Sequence, residues 1–97
     1  MELENNANIS IIWSDYLMYR ARSRRFDLAK IANIIRYSGE RYLDTVTGRM
    51  VAVGKHDNHL VVIPYEQNGT VIIPVTIHAT LRQQINFRLK TGRLTYE

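Results

Sequence analysis

The spacing of hydrophobic residues predicts a strand and then a helix at the start of the chain. Within residues 9–13, isoleucine and tryptophan occupy every second position, which is typical of a strand. Ser14 follows, and a serine at this point can accept hydrogen bonds from the free amides of a helix start. We therefore expect a helix from Asp15 to about Arg25.

A second helix is predicted after Asp27, which can cap it in the same way. Apolar residues then follow at helical spacing: Leu28, Ile31, Ala32 and Ile35. Gly39 is expected to close this helix in the left-handed conformation, because glycine adopts that conformation without steric cost.

Residues 41–78 predict four strands connected by turns. The β-branched runs that form the expected strands are 41–44, 50–54, 59–66 and 70–78. Asn68-Gly69 is the strongest turn signal, because this pair tolerates the positive φ angles of a type I′ hairpin. Pro64 and Pro74 each remove a backbone donor, so we expect irregular pairing in the last two strands.

A third helix is predicted near the end of the chain. Thr80 and Gln83 have the spacing of a capping box. One apolar stripe follows up to Gly92, made of Leu81, Ile85 and Leu89. The element order is then β-α-α-β-β-β-β-α, an α+β fold with helices packed on one antiparallel sheet. A chain of 97 residues holds one domain, 1–97, of which 1–7 is expected to be flexible.

Composition narrows the class of protein. The chain has no cysteine, which excludes disulfides, thiolate metal sites and a thiol nucleophile. The acidic, asparagine-rich start is unlike a secretion signal, and the longest aliphatic run, residues 60–63, is far too short to cross a bilayer. We therefore expect a cytoplasmic protein without a membrane partner.

The net charge of +4 is concentrated in two segments. Residues 20–41 hold seven basic and two acidic side chains, and residues 81–97 hold four basic and one acidic. Ten of the thirteen basic residues are arginine, whose planar guanidinium binds phosphate through two hydrogen bonds. Two basic helices could thus form one groove for RNA, or they could simply be two solvated surfaces.

The remaining chemistry points to acid–base catalysis without a metal. The five glycines are scattered and form no phosphate-binding loop, and the carboxylates show no close pair of the glycosidase type. His56 and His59 flank Asp57 in a turn, a spacing that matches no established zinc site. No metal or other cofactor is therefore expected.

His78 is the candidate catalytic residue. It ends the last predicted strand, and an imidazole with an ordinary pKa near 6.5 can accept or donate a proton near neutral pH. Strand alternation places His78 with Thr76 on one face and Ile77 on the other. In the alternative interpretation, His78 is a surface histidine at a strand end.

The expected phosphate and base contacts come from arginines and tyrosines. Candidate RNA-binding arginines are Arg20 and Arg24, one turn apart on the first helix, then Arg25, and Arg88 on the third helix. Four tyrosines could stack on bases, or they could be half-buried packing residues: Tyr37, Tyr42, Tyr65 and Tyr96.

Three short motifs and the hairpin of residues 60–77 together cover most of residues 9–90. The motifs are Ile12-Trp13-Ser14-Asp15, Arg20-x-x-x-Arg24-Arg25-Phe26-Asp27 and the passage from Val75 to Arg82. The first and third resemble motifs of BrnT-like chains, and the second resembles a helix junction of DUF4258 chains. Both groups are small bacterial toxins that share the fold of the RelE and ParE toxins.

The resemblance implies a RelE-like fold and the toxin of a type II toxin–antitoxin system. Such a toxin is a metal-free endoribonuclease, an mRNA interferase that cleaves RNA through attack by the 2′-hydroxyl. The resemblance assigns Arg20, Arg24 and Arg25 to RNA binding, and His78 with Arg82 to the catalytic end of the sheet. The implied partners are RNA, free or as ribosome-bound mRNA, and a cognate antitoxin protein.

Two other functions stay open at this stage. A non-catalytic module of the same fold would use its basic surface to bind RNA, DNA or an acidic protein segment. A purely structural dimerising domain would present an apolar interface instead. If the chain is a ribonuclease, we expect Tyr96 to assist His78 and Arg82.

Overall fold

The computed structural model describes residues 8–96, within which three helices and seven strands are present. In chain order they are β1 (Ser10–Ile11), α1 (Asp15–Arg24), α2 (Leu28–Tyr37), β2 (Glu40–Asp44), β3 (Met50–His56), β4 (His59–Asn68), β5 (Val71–Pro74), β6 (His78–Ala79), α3 (Arg82–Lys90) and β7 (Leu94–Tyr96). The predicted α+β class is confirmed. The expected flexibility of residues 1–7 concerns residues outside the described range. No helix in this range has the length and apolarity to cross a membrane.

The strands form one sheet in the order β1-β5-β4-β3-β2-β7, and β6 also pairs with β4. Every pair is antiparallel except β1 with β5, which is parallel. The predicted order β-α-α-β-β-β-β-α therefore lacked two short strands, β6 and β7. The predicted strand 70–78 merged β5 with the start of β6, and the three residues of β7 follow the predicted last helix without a pattern that marks a strand.

The sheet carries helices on both faces. On one face, Leu17 of α1 and Ile31 of α2 belong to a core cluster that includes Ile63 of β4. On the other face, Ile85 of α3 belongs to a second cluster with Val62, which we call the α3-side cluster. Neighbouring residues of β4 thus contact different helices, as the alternation of side chains along a strand requires.

The close packing of α2 on the sheet depends on Gly54. A Cβ atom at this position of β3 would lie 2.8 Å from Cγ2 of Ile34, which is closer than carbon atoms can approach. A larger residue would therefore push α2 away from β3.

Two prolines split the last predicted strand and set the position of His78. Pro64 lies within β4 and has no amide hydrogen, and Pro74 ends β5. On one side of Pro64, β4 pairs with β5, and on the other it pairs with β6. Residues 75–77 leave the ladder, and His78 rejoins it as the partner of Val62. His78 therefore faces the same side of the sheet as Val62, which is the side of α3.

The ends of the first two helices differ from the prediction. Gly39 does not take the left-handed conformation, because α2 ends at Tyr37 and Ser38 leaves the helix in an extended conformation with ψ 133°. The Ser38 hydroxyl donates to the Val53 carbonyl of β3, which ties this end of α2 to the sheet. The left-handed residue is Arg25, with φ 62°, at the end of α1.

The start of α3 is also displaced from the predicted capping box. Gln84, not Gln83, reaches back, and its side-chain oxygen accepts hydrogen bonds from the Leu81 amide and the Thr80 hydroxyl. Leu81 therefore precedes the helix and is exposed, whereas Ile85 is buried.

The Asn68-Gly69 signal marks a hairpin of a different type from the one predicted. Asn68 is the last residue of β4, and the loop before Val71 consists of Gly69 and Thr70. Of these two, only Gly69 has a positive φ, 63°. This is the pattern of a type II′ turn, with glycine in its first position.

Candidate nucleic-acid interface

A groove of about 490 Å³ crosses the sheet face that carries α3. Gln84 and Arg88 of α3 line one wall of the groove, and strand residues form its floor. His78 lies where β6 pairs with β4, and Asp44 and Arg93 lie at β2 and before β7. The groove therefore runs from β6 across β4 and β3 to β2, and Leu94 of β7 also lines it.

His78 is hydrogen-bonded to an arginine of α1. Arg20 Nη2 lies 2.9 Å from His78 Nδ1, and Arg20 Nη1 donates to the Tyr16 hydroxyl at 3.0 Å. A guanidinium can only donate, so Nδ1 is the acceptor and the proton of the neutral imidazole is on Nε2. The contact holds His78 in one tautomer.

The surroundings of His78 favour its neutral form. Burial lowers the pKa of His78 from its ordinary value of 6.5, and the charges of Arg20, Arg24 and Arg88 lower it further. Each effect raises the free energy of the imidazolium relative to the imidazole. His78 is therefore neutral at pH 7, and a neutral imidazole can accept a proton.

The arginines nearest to β6 lack carboxylate partners. Within residues 8–96, Arg24, Arg25 and Arg88 make no ion pair. Arg24 and Arg25 line one shallow depression with Ala79 of β6, and Arg88 lines the groove beside His78. We call Arg20, Arg24, Arg25 and Arg88 the unpaired arginine cluster, because Arg20 also has no carboxylate partner in this range. Such a concentration of positive charge attracts anions.

The amphipathic pattern of α1 explains how these arginines reach β6. Leu17 and Ala21 are buried on the face of α1 that packs on the sheet. Arg20 and Arg24 are one turn apart on a neighbouring face, so both project toward the same end of the sheet. The helix thus contains both arginines at the predicted spacing, on a face that Leu17 and Ala21 do not occupy.

His56 holds the junction between α1 and α2 against the sheet. It is 5% exposed, and its Nε2 accepts a hydrogen bond from the Asp27 amide at 2.8 Å. The ring also packs edge-on against Phe26, with the ring centroids 5.0 Å apart. His56 is thus a structural residue. Within the described range, no three histidine or acidic side chains group as they would around a metal ion.

The arginines at the β2 end of the groove are ion-paired. Arg93 Nε lies 2.8 Å from Asp44 Oδ1, and Arg49 Nε lies 3.1 Å from Glu66 Oε2. Asp44 is 8% exposed and also accepts hydrogen bonds from two backbone amides of the following turn. The hydrogen bond from Arg93 holds the pKa of the Asp44 carboxyl below its ordinary value.

Arg82 and Tyr96 do not line the groove beside His78. Arg82 forms two hydrogen bonds with Glu40, of 2.5 and 3.0 Å. Glu40 lies three strands from His78 in the sheet register, a separation of roughly 14 Å. Tyr96 is 77% exposed on β7, and its ring packs edge-on against Tyr42. The structure thus brings neither residue into contact with His78, because Arg82 is held by Glu40 and β7 lies at the far edge.

The buried tyrosines among the four are packing residues. Tyr42 is 5% exposed within the α3-side cluster. Tyr65 is 2% exposed on the opposite face, and its hydroxyl accepts a hydrogen bond from Arg41 at 3.1 Å. Tyr37 is exposed, but it is on α2 and so on the face away from the groove. None of these three lines the groove.

Several polar groove residues were not assigned a role from the sequence, among them Arg49, Thr76 and Gln84. Thr76 has the clearest signal, since strand alternation placed it on the face of His78. Its Oγ1 is buried and, within residues 8–96, has no hydrogen-bond partner. Arg20 Nε is in the same situation. Both groups have hydrogen-bonding capacity that the described part of the chain does not use.

Comparison with family models, with curated proteins and with solved structures finds no match for this chain.

Proposed function

We propose that the groove binds single-stranded RNA and cleaves it without a metal ion, as the toxin of a toxin–antitoxin pair with a RelE-like fold would do in the cytoplasm. One observation carries the proposal: a neutral histidine lies on the sheet among arginines that have no carboxylate partner. The same positive surface would accept an acidic segment of the antitoxin, because carboxylates compete with phosphates for guanidinium groups.

The unpaired arginine cluster would hold the RNA backbone. Arg88 borders the groove and Arg24 lies at the end of α1, so phosphates on either side of the scissile bond would contact different helices. Both guanidinium groups stay charged at any physiological pH. Binding would therefore be strong at low salt and fall as salt rises.

In the proposed reaction, the 2′-oxygen attacks the adjacent phosphorus, and its proton passes to His78. The 5′-oxygen of the next nucleotide leaves with the electron pair of the P–O bond and takes a proton from water, and His78 then returns its proton to the solvent. The products are a 2′,3′-cyclic phosphate and a free 5′-hydroxyl. Nδ1 of His78 is occupied by Arg20 in the free protein. Catalysis therefore requires Arg20 to turn toward a phosphate oxygen, which releases Nδ1 as the base and places a positive charge on the developing phosphorane.

The test is cleavage of a labelled single-stranded RNA in the presence of EDTA. We expect the His78→Ala variant to lose about 10²- to 10⁴-fold in rate, the range for a general base. The matched control is His59→Ala, since His59 is an exposed histidine outside the groove. An RNA with a single 2′-deoxy nucleotide at the cleaved position should stay intact there.

Three results would contradict the proposal in different ways. Equal cleavage by the His78→Ala variant would overturn the role of His78. Cleavage at the 2′-deoxy position would overturn attack by the 2′-hydroxyl. Binding of RNA without any product would leave the second candidate function.

That second candidate is a non-catalytic module that binds nucleic acid through the same groove. The contact between Arg20 and His78 favours it, because a histidine whose acceptor nitrogen is engaged by an arginine is a fixed hydrogen-bond donor. In this function Nε2 would donate to a phosphate oxygen and no bond would break. The absence of Arg82 and Tyr96 from the groove also removes two of the expected catalytic partners.

A further inference from the structure

The outward side of α3 carries an aromatic residue that contributes nothing to the core. Phe87 is 65% exposed, whereas Ile85 and Leu89 of the same helix pack in the α3-side cluster. A single exposed aromatic ring is common on protein surfaces and by itself indicates no site. The side chains around Phe87 supply the further observation that points to a binding site.

Phe87 lies in a shallow concavity whose other residues can form hydrogen bonds. The concavity is lined by Gln83, Gln84, Phe87, Arg88, Thr91 and Arg93. Gln83 precedes Phe87 by one helical turn, so their side chains are neighbours on the helix surface. The side-chain amide of Gln83 has no hydrogen-bond partner within residues 8–96, unlike that of Gln84. It thus offers one acceptor and two donors next to an exposed aromatic face.

This concavity is continuous with the groove. Three residues line both: Gln84, Arg88 and Arg93. Of the two arginines among them, Arg88 makes no ion pair within residues 8–96, whereas Arg93 is paired with Asp44. A phosphate held by Arg88 would place the neighbouring nucleotide at the concavity.

We propose that this concavity binds one unpaired nucleobase of the RNA in the groove, stacked on Phe87 and hydrogen-bonded at its edge by Gln83. The inference rests on the proposed function and adds to it a binding site for one base, which explains why the RNA must be single-stranded. A base within a duplex is already stacked and paired, so it cannot occupy such a site. Stacking tolerates every base, and the amide of Gln83 adds a preference among them.

The test uses short oligonucleotides that cannot be cleaved, because every 2′-hydroxyl is methylated. One oligonucleotide carries bases, and its partner has the same backbone with abasic positions. For the Phe87→Ala variant we expect binding to the first to weaken about tenfold, and binding to the abasic partner to stay unchanged. Phe87→Tyr should keep the wild-type affinity, and Phe87→Leu should not, since leucine is apolar but cannot stack.

Arg88→Ala separates this site from the basic groove, because it should weaken binding of both oligonucleotides. Equal affinity of the Phe87→Ala variant and the wild type for the base-containing oligonucleotide would overturn the nucleobase site and leave RNA binding by the groove intact. That result would also be expected if Phe87 instead contacts a protein. Wild-type protein that binds neither oligonucleotide would overturn the proposed function itself.

Discussion

The two ends of the groove contain similar side chains in opposite electrostatic states. At the β6 end, Arg24, Arg25 and Arg88 have no acidic partner in the described range, and Arg20 is bonded to His78 and Tyr16. At the β2 end, the two arginines that line the groove are each paired with a carboxylate, Arg49 with Glu66 and Arg93 with Asp44. Outside the groove, Arg82 is paired with Glu40. Residue type alone therefore does not show which arginines can bind a phosphate.

The difference arises from where the acidic residues lie in the sheet. Glu40 and Asp44 are on β2, three strands from β6, and Glu66 is on the part of β4 that pairs with β5 and not with β6. The charge of a paired guanidinium is largely neutralised by its carboxylate and some of its donors are occupied, whereas an unpaired guanidinium keeps its charge and its donors available. We infer that the β2 end stabilises the fold and the β6 end is available to a ligand. The predictions below test this division.

The largest effect on stability is expected at Asp44. Replacing Asp44, which is 8% exposed, by Ala removes the acceptor of two turn amides and of Arg93. We expect a loss of about 2 kcal/mol in the free energy of unfolding, because a part-buried set of hydrogen bonds to a charged group loses its acceptor. Urea denaturation measures it. Asp44→Asn, which keeps an acceptor for the turn amides, should lose less.

The same pair gives the protein an acid-sensitive stability. Because Arg93 lowers the pKa of Asp44 in the folded state, the unfolded state binds the proton first as pH falls. The stabilisation is present above the unfolded pKa of about 4 and is lost as pH falls through the lower folded value. In the Asp44→Asn variant this part of the acid dependence should disappear. If the stability of the Asp44→Asn variant falls with acid pH as much as that of the wild type, the structural role of the β2 end is contradicted.

The next largest effect is expected on RNA binding, for which two arginines of α3 can be compared. Arg88 is unpaired and Arg82 is bonded to Glu40, so Arg88→Ala and Arg82→Ala form a matched pair. For RNA binding at low salt, we expect Arg88→Ala to weaken the affinity about tenfold and to reduce the slope of log affinity against log salt by about 0.7, the value for one phosphate contact on a single strand. Arg82→Ala should leave both quantities near wild type.

For stability the two variants should reverse their order. Arg88→Ala removes no ion pair, and Arg82→Ala removes an exposed one, which is worth below about 1 kcal/mol. Equal effects of both variants on RNA binding would show that the paired and unpaired ends do not differ in function.

The smallest effect is a change in the titration of His78, which NMR of the imidazole can follow. We expect a pKa below 6.5 in the wild type, and a rise toward 6.5 in the Arg24→Ala and Arg88→Ala variants, since each removes a nearby positive charge. Arg82→Ala should not move it. Because the folded pKa is depressed, His78 lowers stability as pH falls below about 6.5, and the three variants can be compared in that range as well.

Much of the fold followed from periodicity. The first two helices start at the predicted caps, and Leu17, Ala21, Ile31 and Ile35 are buried as their spacing indicated. What could not be predicted depends on tertiary contacts. Ser38 is held by a strand carbonyl and displaces the glycine that local preference favoured as the helix end. The split of the last strand was signalled by two prolines, but the start of β6 at His78 depends on pairing with Val62.

The sequence predicted the candidate site only in part, because the contacts within the site join residues that are far apart in the chain. Arg20 and His78 were both singled out, yet their hydrogen bond joins residues 58 positions apart, and no local pattern encodes such a contact. The pairing of Arg82 with Glu40 is equally long-range. The sequence thus indicated which side chains could carry chemistry, and the sheet register decided which of them share a groove.

The backbone conformation at position 25 favours glycine, but the residue there is a positively charged arginine. A side chain at φ 62° costs roughly 1–2 kcal/mol relative to glycine, and α1 ends there with arginine all the same. Glycine would make the protein more stable, so thermodynamic optimisation alone does not account for the residue. In a set of homologous chains, we expect this position to keep arginine or lysine wherever RNA binding is under selection and to drift to glycine where it has been lost. The residue type at position 25 of each homologous chain would then indicate whether that chain still binds RNA.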